Sequence, residues 1–276
     1  MRSAQRTDHR LDALFHGRGV ERLDDVVVHP RLARSDDERT RALAPTILNT
    51  IDRAARLTQR SADDINLIAV SKTQPAGAIL PLIHAGQRGF GENRVQESQD
   101  KWPALREQFS DLTLHLVGQL QSNKAADAVA LFDVIHSLDR LSLLTALARA
   151  MDAAGKRLPC FIQVNIGAEE QKGGCPIADV PALIAAARDA DIPLLGLMCV
   201  PPADVEPAPY FALLAKMARE EGLPRLSMGM SGDFETALML GATDIRVGTA
   251  LFGERAPVSR PVPRSGLGMI RNAPAR

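Results

Sequence analysis

The sequence predicts a single-domain α/β protein, a (β/α)8 TIM barrel preceded by an extra helix. Three observations predict it. Short, nearly continuous apolar runs such as LIAV (67–70) alternate with stretches of helical periodicity, the pattern of a parallel sheet covered by helices. The runs begin about every 21 to 35 residues, the length of one βα unit. Polar residues and glycines gather at the C-terminal ends of nearly all of them. A barrel brings those ends to one mouth, whereas a doubly wound open sheet, the competing architecture, concentrates chemistry at one switch point.

Residues 1–40 carry many Arg and Asp with only short apolar clusters, and are expected to form an irregular N-terminal extension, with a short docked helix as the alternative. From about 42 to 60, Ile47, Ile51, Ala54 and Leu57 fall at helical steps and mark an amphipathic helix. The expected strands are 65–73, 88–93, 112–118, 134–139, 160–166, 194–201, 223–231 and 244–253. Between them lie AGAILPLIHAG, a segment after Asn93, SNKAADAVALF, RLSLLTALARAMDAAG, PIADVPALIAAARDA, PAPYFALLAKMAREEG and GDFETALMLGA. Each reads as helix, and several end in Gly, the residue of a helix C-cap. The expected organisation is an extension over 1–40, a barrel over 41–255 and a tail over 256–276.

Composition narrows the function classes. The chain has 276 residues, 45% hydrophobic and 24% charged, enough for a sizeable core and unlike a disordered protein. Thirty-three basic residues balance thirty-three acidic ones, so net charge gives no support for nucleic-acid binding. No apolar run reaches the roughly 18–20 residues that span a bilayer, and the N-terminal residues lack the apolar core of a secretory signal. Cys160, Cys175 and Cys199 form no C-x-x-C pair, so buried free thiols in a reducing, cytoplasmic setting are expected.

The residues at the strand ends carry the chemistry. Lys72 follows the first strand, on the same face as Ile68 and Val70, and so points into the mouth. Desolvation or a neighbouring cation makes such an amine a nucleophile. Arg246, on the last strand, can meet a ring nitrogen or a phosphate. Gly248 and Thr249 follow it, while Ser231 and Gly232 open a helix after the seventh strand; small residues there let backbone N–H groups close on a phosphate. Ser231 reads equally as a helix N-cap. Glu92 and Asn93 end the second strand, where they can contact a ring or brace the lysine. His115, inside an apolar strand, reads as a core histidine. No histidine pair has metal-ligand spacing and no G-x-S-x-G elbow is present, which leaves metal and serine hydrolases without support. One amine plus two phosphate-holding loops is the requirement of a pyridoxal 5'-phosphate site.

The segments AVSKTQP, GENRVQE, HLVGQLQSNK, IHSLD, VNIGAEEQKGG, SMGMSGDFETAL and RVGTALFG resemble, in order, the signatures of the pyridoxal phosphate homeostasis proteins over about residues 45–253. The resemblance implies a barrel similar to the N-terminal domain of alanine racemase, with pyridoxal 5'-phosphate held as an imine on Lys72. It implies that Ser231, Gly248 and Thr249 hold the phosphate, that Arg246 stands beside the pyridine nitrogen, and that Asn93 lines the pocket. Arg94, Gln119 and Gly173 depart from the family's usual tyrosine, proline and serine.

The implied function is cofactor carriage and sequestration in intracellular homeostasis, by a monomer whose partners are the cofactor and apoenzymes that use it. An amino-acid racemase or decarboxylase is the alternative. Against it, residues 254–276 are too few for the added β-domain that brings a racemase its second base. The only tyrosine, Tyr210, lies in a helical stretch away from the mouth. An arginine at the ring nitrogen also disfavours ring protonation and weakens the electron sink. No robust catalytic activity is expected.

Overall fold

The computed structural model describes residues 21–23, 26–28 and 38–253. Its core is a closed, all-parallel barrel of eight strands: β1 (Asn66–Val70), β2 (Gly89–Glu92), β3 (Thr113–Leu116), β4 (Val134–Leu138), β5 (Cys160–Val164), β6 (Leu194–Cys199), β7 (Arg225–Ser227) and β8 (Asp244–Val247). Closure is made where β8 pairs with β1, from Asp244↔Asn66 to Val247↔Ala69. All eight expected strands are present, in chain order around the barrel, and the open-sheet alternative is overturned by that pairing.

The helices are α1 (Glu38–Leu57), α2 (Ala76–His84), α3 (Val95–Gln108), α4 (Ala125–Leu131), α5 (Leu141–Ala154), α6 (Val180–Asp189), α7 (Ala208–Glu220), α8 (Phe234–Met239) and α9 (Thr249–Phe252). Each of α2 to α8 follows one strand and buries an apolar stripe on the barrel's outer face. In α5 the stripe is Leu143, Leu147 and Met151, all wholly buried at four-residue steps. That helix stops at Gly155, whose φ of 63° is the left-handed cap conformation glycine adopts without a Cβ penalty.

Four expectations are corrected. The stretch read as irregular over 1–40 holds two short strands, Glu21–Leu23 and Val26–Val28, paired antiparallel. Helix α1 starts at Glu38, not near 42. Leu57, assigned to the buried face of that helix, is 65% exposed, because α1 ends there and the chain turns away. The segment 244–253 is not one strand: it leaves the sheet after Val247 and coils into α9. Most of 1–37 and the tail at 256–276 lie outside the described residues.

Helix α1 packs against α8 and α9, below the loops that follow β7 and β8. Arg60, just past its end, donates from Nη1 to Ala242 O at 2.9 Å and from Nη2 to Leu238 O at 2.7 Å. A cation on carbonyls at and just past the C-terminus of α8 complements the negative end of that helix.

Inside the barrel the filling is partly polar. Val134, Phe161, Leu195 and Met198 form a small apolar cluster. Beside it, Asp244 accepts from Arg225 Nη2 at 2.7 Å and Nε at 3.1 Å, and from Asn66 Nδ2 at 3.2 Å. Among the described residues no helix is long and apolar enough to cross a membrane.

Candidate functional site

A cavity of about 500 Å³ opens at the C-terminal ends of the strands. Lys72, Asn93, Ser231, Arg246, Gly248 and Thr249 all line it, so every site residue expected from the sequence is brought to one place. Gln74, Val117, Val200, Met230 and Phe252 complete much of the wall. Sequence reasoning missed these, because the apolar side chains look like ordinary core and Gln74 like an ordinary loop residue.

Lys72 is half-buried just past β1. Its loop is clamped from outside the barrel. Lys101 on α3 donates from Nζ to Ser71 O at 3.0 Å and Gln74 O at 3.1 Å, the carbonyls on either side of Lys72. The same ammonium pairs with Glu92 Oε1 at 2.7 Å, which also accepts from Ser71 Oγ at 2.7 Å and Trp102 Nε1 at 3.1 Å. Thr73 sits at a φ of 63°, a strained setting for a β-branched residue worth roughly 1–3 kcal/mol. Its N–H is taken by Glu97 Oε1. Glu92 therefore braces the lysine loop, while its neighbour Asn93 faces the cavity. The other two lysines at strand ends are engaged elsewhere: Lys124 with Asp127, and Lys172 with Glu169 and Pro201 O.

Across the mouth, the loops after β7 and β8 meet. The N–H groups of Gly248 and Ala250 both point at Ser231 Oγ, each at 3.3 Å. Two backbone donors converging on one oxygen form the kind of concavity that holds an anion. Gly248 belongs there because a Cβ would stand 3.2 Å from Val70 O. Gly118 serves the opposite rim: a Cβ there would fall 2.3 Å from Asn93 O, so only glycine lets β2 and β3 close this tightly.

Arg246 is 5% exposed. It donates from Nη1 to Ser227 Oγ at 2.7 Å and from Nη2 to Cys199 O at 2.8 Å. Burial lowers its pKa, since desolvation disfavours the charged form. Burial also pushes the thiols up, Cys160 and Cys199 to about 12 and Cys175 to about 11. All three are free and buried, which makes them inert rather than nucleophilic.

Two of the family departures touch. A Cβ on Gly173 would fall 2.2 Å from Gln119 Nε2. Gln119 Nε2 donates to Gln163 Oε1 at 2.6 Å, and Gln163 Nε2 to Gly173 O at 3.1 Å. The glycine makes room for the glutamine. The third departure, Arg94, is exposed and does not line the cavity.

His115 is a buried core histidine, as expected, but it does not stand alone. His115 Nδ1 lies 3.0 Å from His136 Nε2, and His136 stacks on Phe161 with centroids 4.4 Å apart. Burial lowers the pKa of His115 to about 3, with the Arg225 charge adding to it. Burial, then His115, Arg246 and Arg225, lower that of His136 well below the usual 6.5. Both imidazoles are neutral when folded and gain protons on unfolding below about pH 6.5. Stability is therefore complete above that pH and falls as the pH drops from it towards the folded pKa. For His115 alone the loss between pH 7 and 5 is on the order of 2 kcal/mol. Denaturant melts at those two pH values should show it, with a smaller loss in His115→Gln; an unchanged loss would refute the assignment.

Among the described residues no group of three or more His, Cys, Asp or Glu could hold a metal ion.

Residues 48–256 match the family described as "Alanine racemase, N-terminal domain". The chain is 40% identical over 221 residues to the pyridoxal phosphate homeostasis protein of Escherichia coli K12, covering 76% of this chain and 94% of that one. It is 37% identical over 219 residues to the protein of the same name from Aquifex aeolicus, covering 76% and 95%. The structure of PipY from Synechococcus elongatus, solved with PLP bound, superposes with a TM-score of 0.66 at 40% identity, over 74% of this chain and all of PipY. Barrel, cavity and relatives agree across the same span: the chain belongs to the pyridoxal phosphate homeostasis protein family, built on the alanine racemase N-terminal barrel.

Proposed function

We propose that the cavity binds pyridoxal 5'-phosphate and that the protein acts as an intracellular carrier and reserve of this cofactor, with residues 41–255 as the binding unit. One observation carries the reading. A half-buried lysine, a buried arginine, and Ser231 with Gly248, whose N–H converges with that of Ala250 on the Ser231 hydroxyl, line a single cavity, whose 500 Å³ or so suits a small cofactor. The relatives bear the name of pyridoxal phosphate homeostasis proteins and PipY was solved with PLP, which supports the same assignment.

The donor set fits the group. Lys72 offers a primary amine with no ion-pair partner among the described residues, on a loop that Lys101 and Glu97 keep in place. When bound, the cofactor supplies an aldehyde that a neutral amine can attack, forming a carbon–nitrogen bond with loss of water. Ser231, Gly248 and Thr249 hold the phosphate, with the N–H groups now on Ser231 Oγ turned to an anionic oxygen. Arg246, tied below by Ser227 and Cys199, would donate one of its remaining N–H groups to the lone pair of the ring nitrogen. Asn93 and Val200 flank the ring.

Carriage is favoured over turnover by what faces Lys72. No Tyr, His, Cys, Asp or Glu is among the described residues lining the cavity, and Tyr210 packs against the core from α7. Inverting an α-carbon needs an acid on the face opposite the lysine, and such groups contribute about 10²- to 10⁴-fold each. The cofactor-loaded protein, incubated with L-alanine and other L-amino acids, should therefore show slow α-deuterium exchange at most, with no useful inversion or amine release. Turnover above about 1 s⁻¹, the low end of ordinary enzymes, would replace carriage with racemisation or decarboxylation. Apoenzymes that use the cofactor are the acceptors on this reading, and the protein works as a cytoplasmic monomer.

A further inference from the structure

Arg246 is the cation at the floor of the cavity, and its support runs across the barrel interior. Ser227 is wholly buried, and its hydroxyl has Arg246 Nη1 at 2.7 Å and His136 Nδ1 at 2.8 Å. Beyond it, His136 Nε2 meets His115 Nδ1 at 3.0 Å. These residues come from β8, β7, β4 and β3, so the line crosses from one wall of the barrel to the other.

The direction of each bond follows from hydrogen counting. A guanidinium only donates, so Ser227 Oγ accepts from Arg246. The single hydroxyl proton then needs an acceptor, and His136 Nδ1 is the remaining polar atom within reach among the described residues. A proton on that nitrogen would leave the buried hydroxyl hydrogen unpaired, an arrangement costing about 1–3 kcal/mol. His136 Nδ1 is therefore bare and Nε2 carries the proton. That N–H donates to His115, whose Nδ1 must also be bare. A second proton on His136 would add a positive charge near both Arg246 and Arg225, and one on His115 a positive charge near Arg225.

We propose that Ser227, His136 and His115 are positioning residues for the cofactor site: a one-way hydrogen-bond chain that holds the Arg246 guanidinium as a fixed donor towards an acceptor on the ligand ring. The proposal rests on the reading of the cavity as a pyridoxal phosphate site. Ser227, its proton committed to His136, can only accept from Arg246 and cannot compete for the ligand. Arg246, which can only donate, is thereby held in place to meet a ring that presents a lone pair rather than an N–H. Stacking of His136 on Phe161 keeps the imidazole from turning out of line.

The first test is ¹⁵N spectroscopy of the imidazoles in the ligand-free wild-type protein. Both rings should be neutral, with the proton on Nε2 and none on Nδ1. A protonated Nδ1 on His136 overturns the chain whatever the ligand proves to be. The second test titrates pyridoxal 5'-phosphate into Ser227→Ala, His136→Phe and His136→Asn. Phenylalanine keeps the stack and loses the acceptor, whereas asparagine restores an acceptor oxygen near the place of Nδ1. Ser227→Ala and His136→Phe should bind about tenfold more weakly, as for one hydrogen bond to a charged group, and should shift the absorption maximum of the bound cofactor. His136→Asn should recover most of both. Wild-type spectra and affinity in all three variants, or equal damage from asparagine and phenylalanine, would overturn the positioning role. Failure of the wild type to bind the cofactor would instead refute the parent reading and leave the tautomer result to decide the chain alone.

Discussion

Replacing Lys72 with alanine is expected to abolish covalent retention of pyridoxal phosphate while leaving the barrel folded. The covalent bond needs a primary amine in the cavity, and Lys72 is the lysine that lines it. The fold does not depend on this side chain: its loop is held by Lys101 on the carbonyls of Ser71 and Gln74, and by Glu97 on the N–H of Thr73. Borohydride treatment of the loaded wild type should fix the cofactor's mass on the peptide containing Lys72, and the variant should fall to background. The competitors are held elsewhere: Lys124 is paired with Asp127 and Lys172 with Glu169, and neither lines the cavity. A reduced adduct on Lys124 or Lys172 in the wild type would show the assignment to be wrong.

The second large effect is expected from the phosphate. Each charge-assisted hydrogen bond lost should cost on the order of 1.5–3 kcal/mol, or about ten- to a hundredfold in affinity. Ser231→Ala and Thr249→Val each remove one hydroxyl and should fall in that range. Gly248→Ala should do at least as much, because its new Cβ meets Val70 O at 3.2 Å and displaces the loop that carries two of the donors. Pyridoxal lacks the anion altogether and should bind about a hundredfold more weakly or worse. Titration followed by absorbance compares the two vitamers directly. Equal affinity would remove the phosphate from these loops and take with it the physical reason for their glycines and serine.

These residues were accessible from the chain alone because their signals are local. A two-residue period marks the strands, a 3.6-residue period marks the helices, and chemistry-bearing residues sit immediately after the strands. That pattern places Lys72 after β1, Ser231 after β7 and Arg246 with Gly248 on and after β8, and the parallel alternation then sends all of those ends the same way. Element boundaries were less secure. DIRVGTALFG looked like one run, yet the strand ends at Val247, since Gly248 bends the chain into α9. Leu57 kept the helical spacing of its neighbours but fell on the last residue of α1, where it is largely exposed.

What supports the site belongs to the tertiary structure. His115 and His136 are 21 positions apart, and His136 and Ser227 are separated by 91; no local period relates them, and only closure of the barrel puts their side chains on a common interior. Glu92, Lys101 and Ser71 likewise look like unrelated polar residues until α3 packs on the outside of β1 and β2. The coincidence of Gln119 with Gly173 is of the same kind: two departures that read as independent in sequence turn out to fill one space. The sequence by itself determined the barrel and the side chains that face its mouth, because alternation and strand-end placement are properties of neighbouring residues. Which groups clamp the lysine loop, hold the arginine and leave the histidines uncharged was decided by the tertiary structure, because burial and hydrogen-bond distance between strands remote in sequence exist only once the sheet has closed.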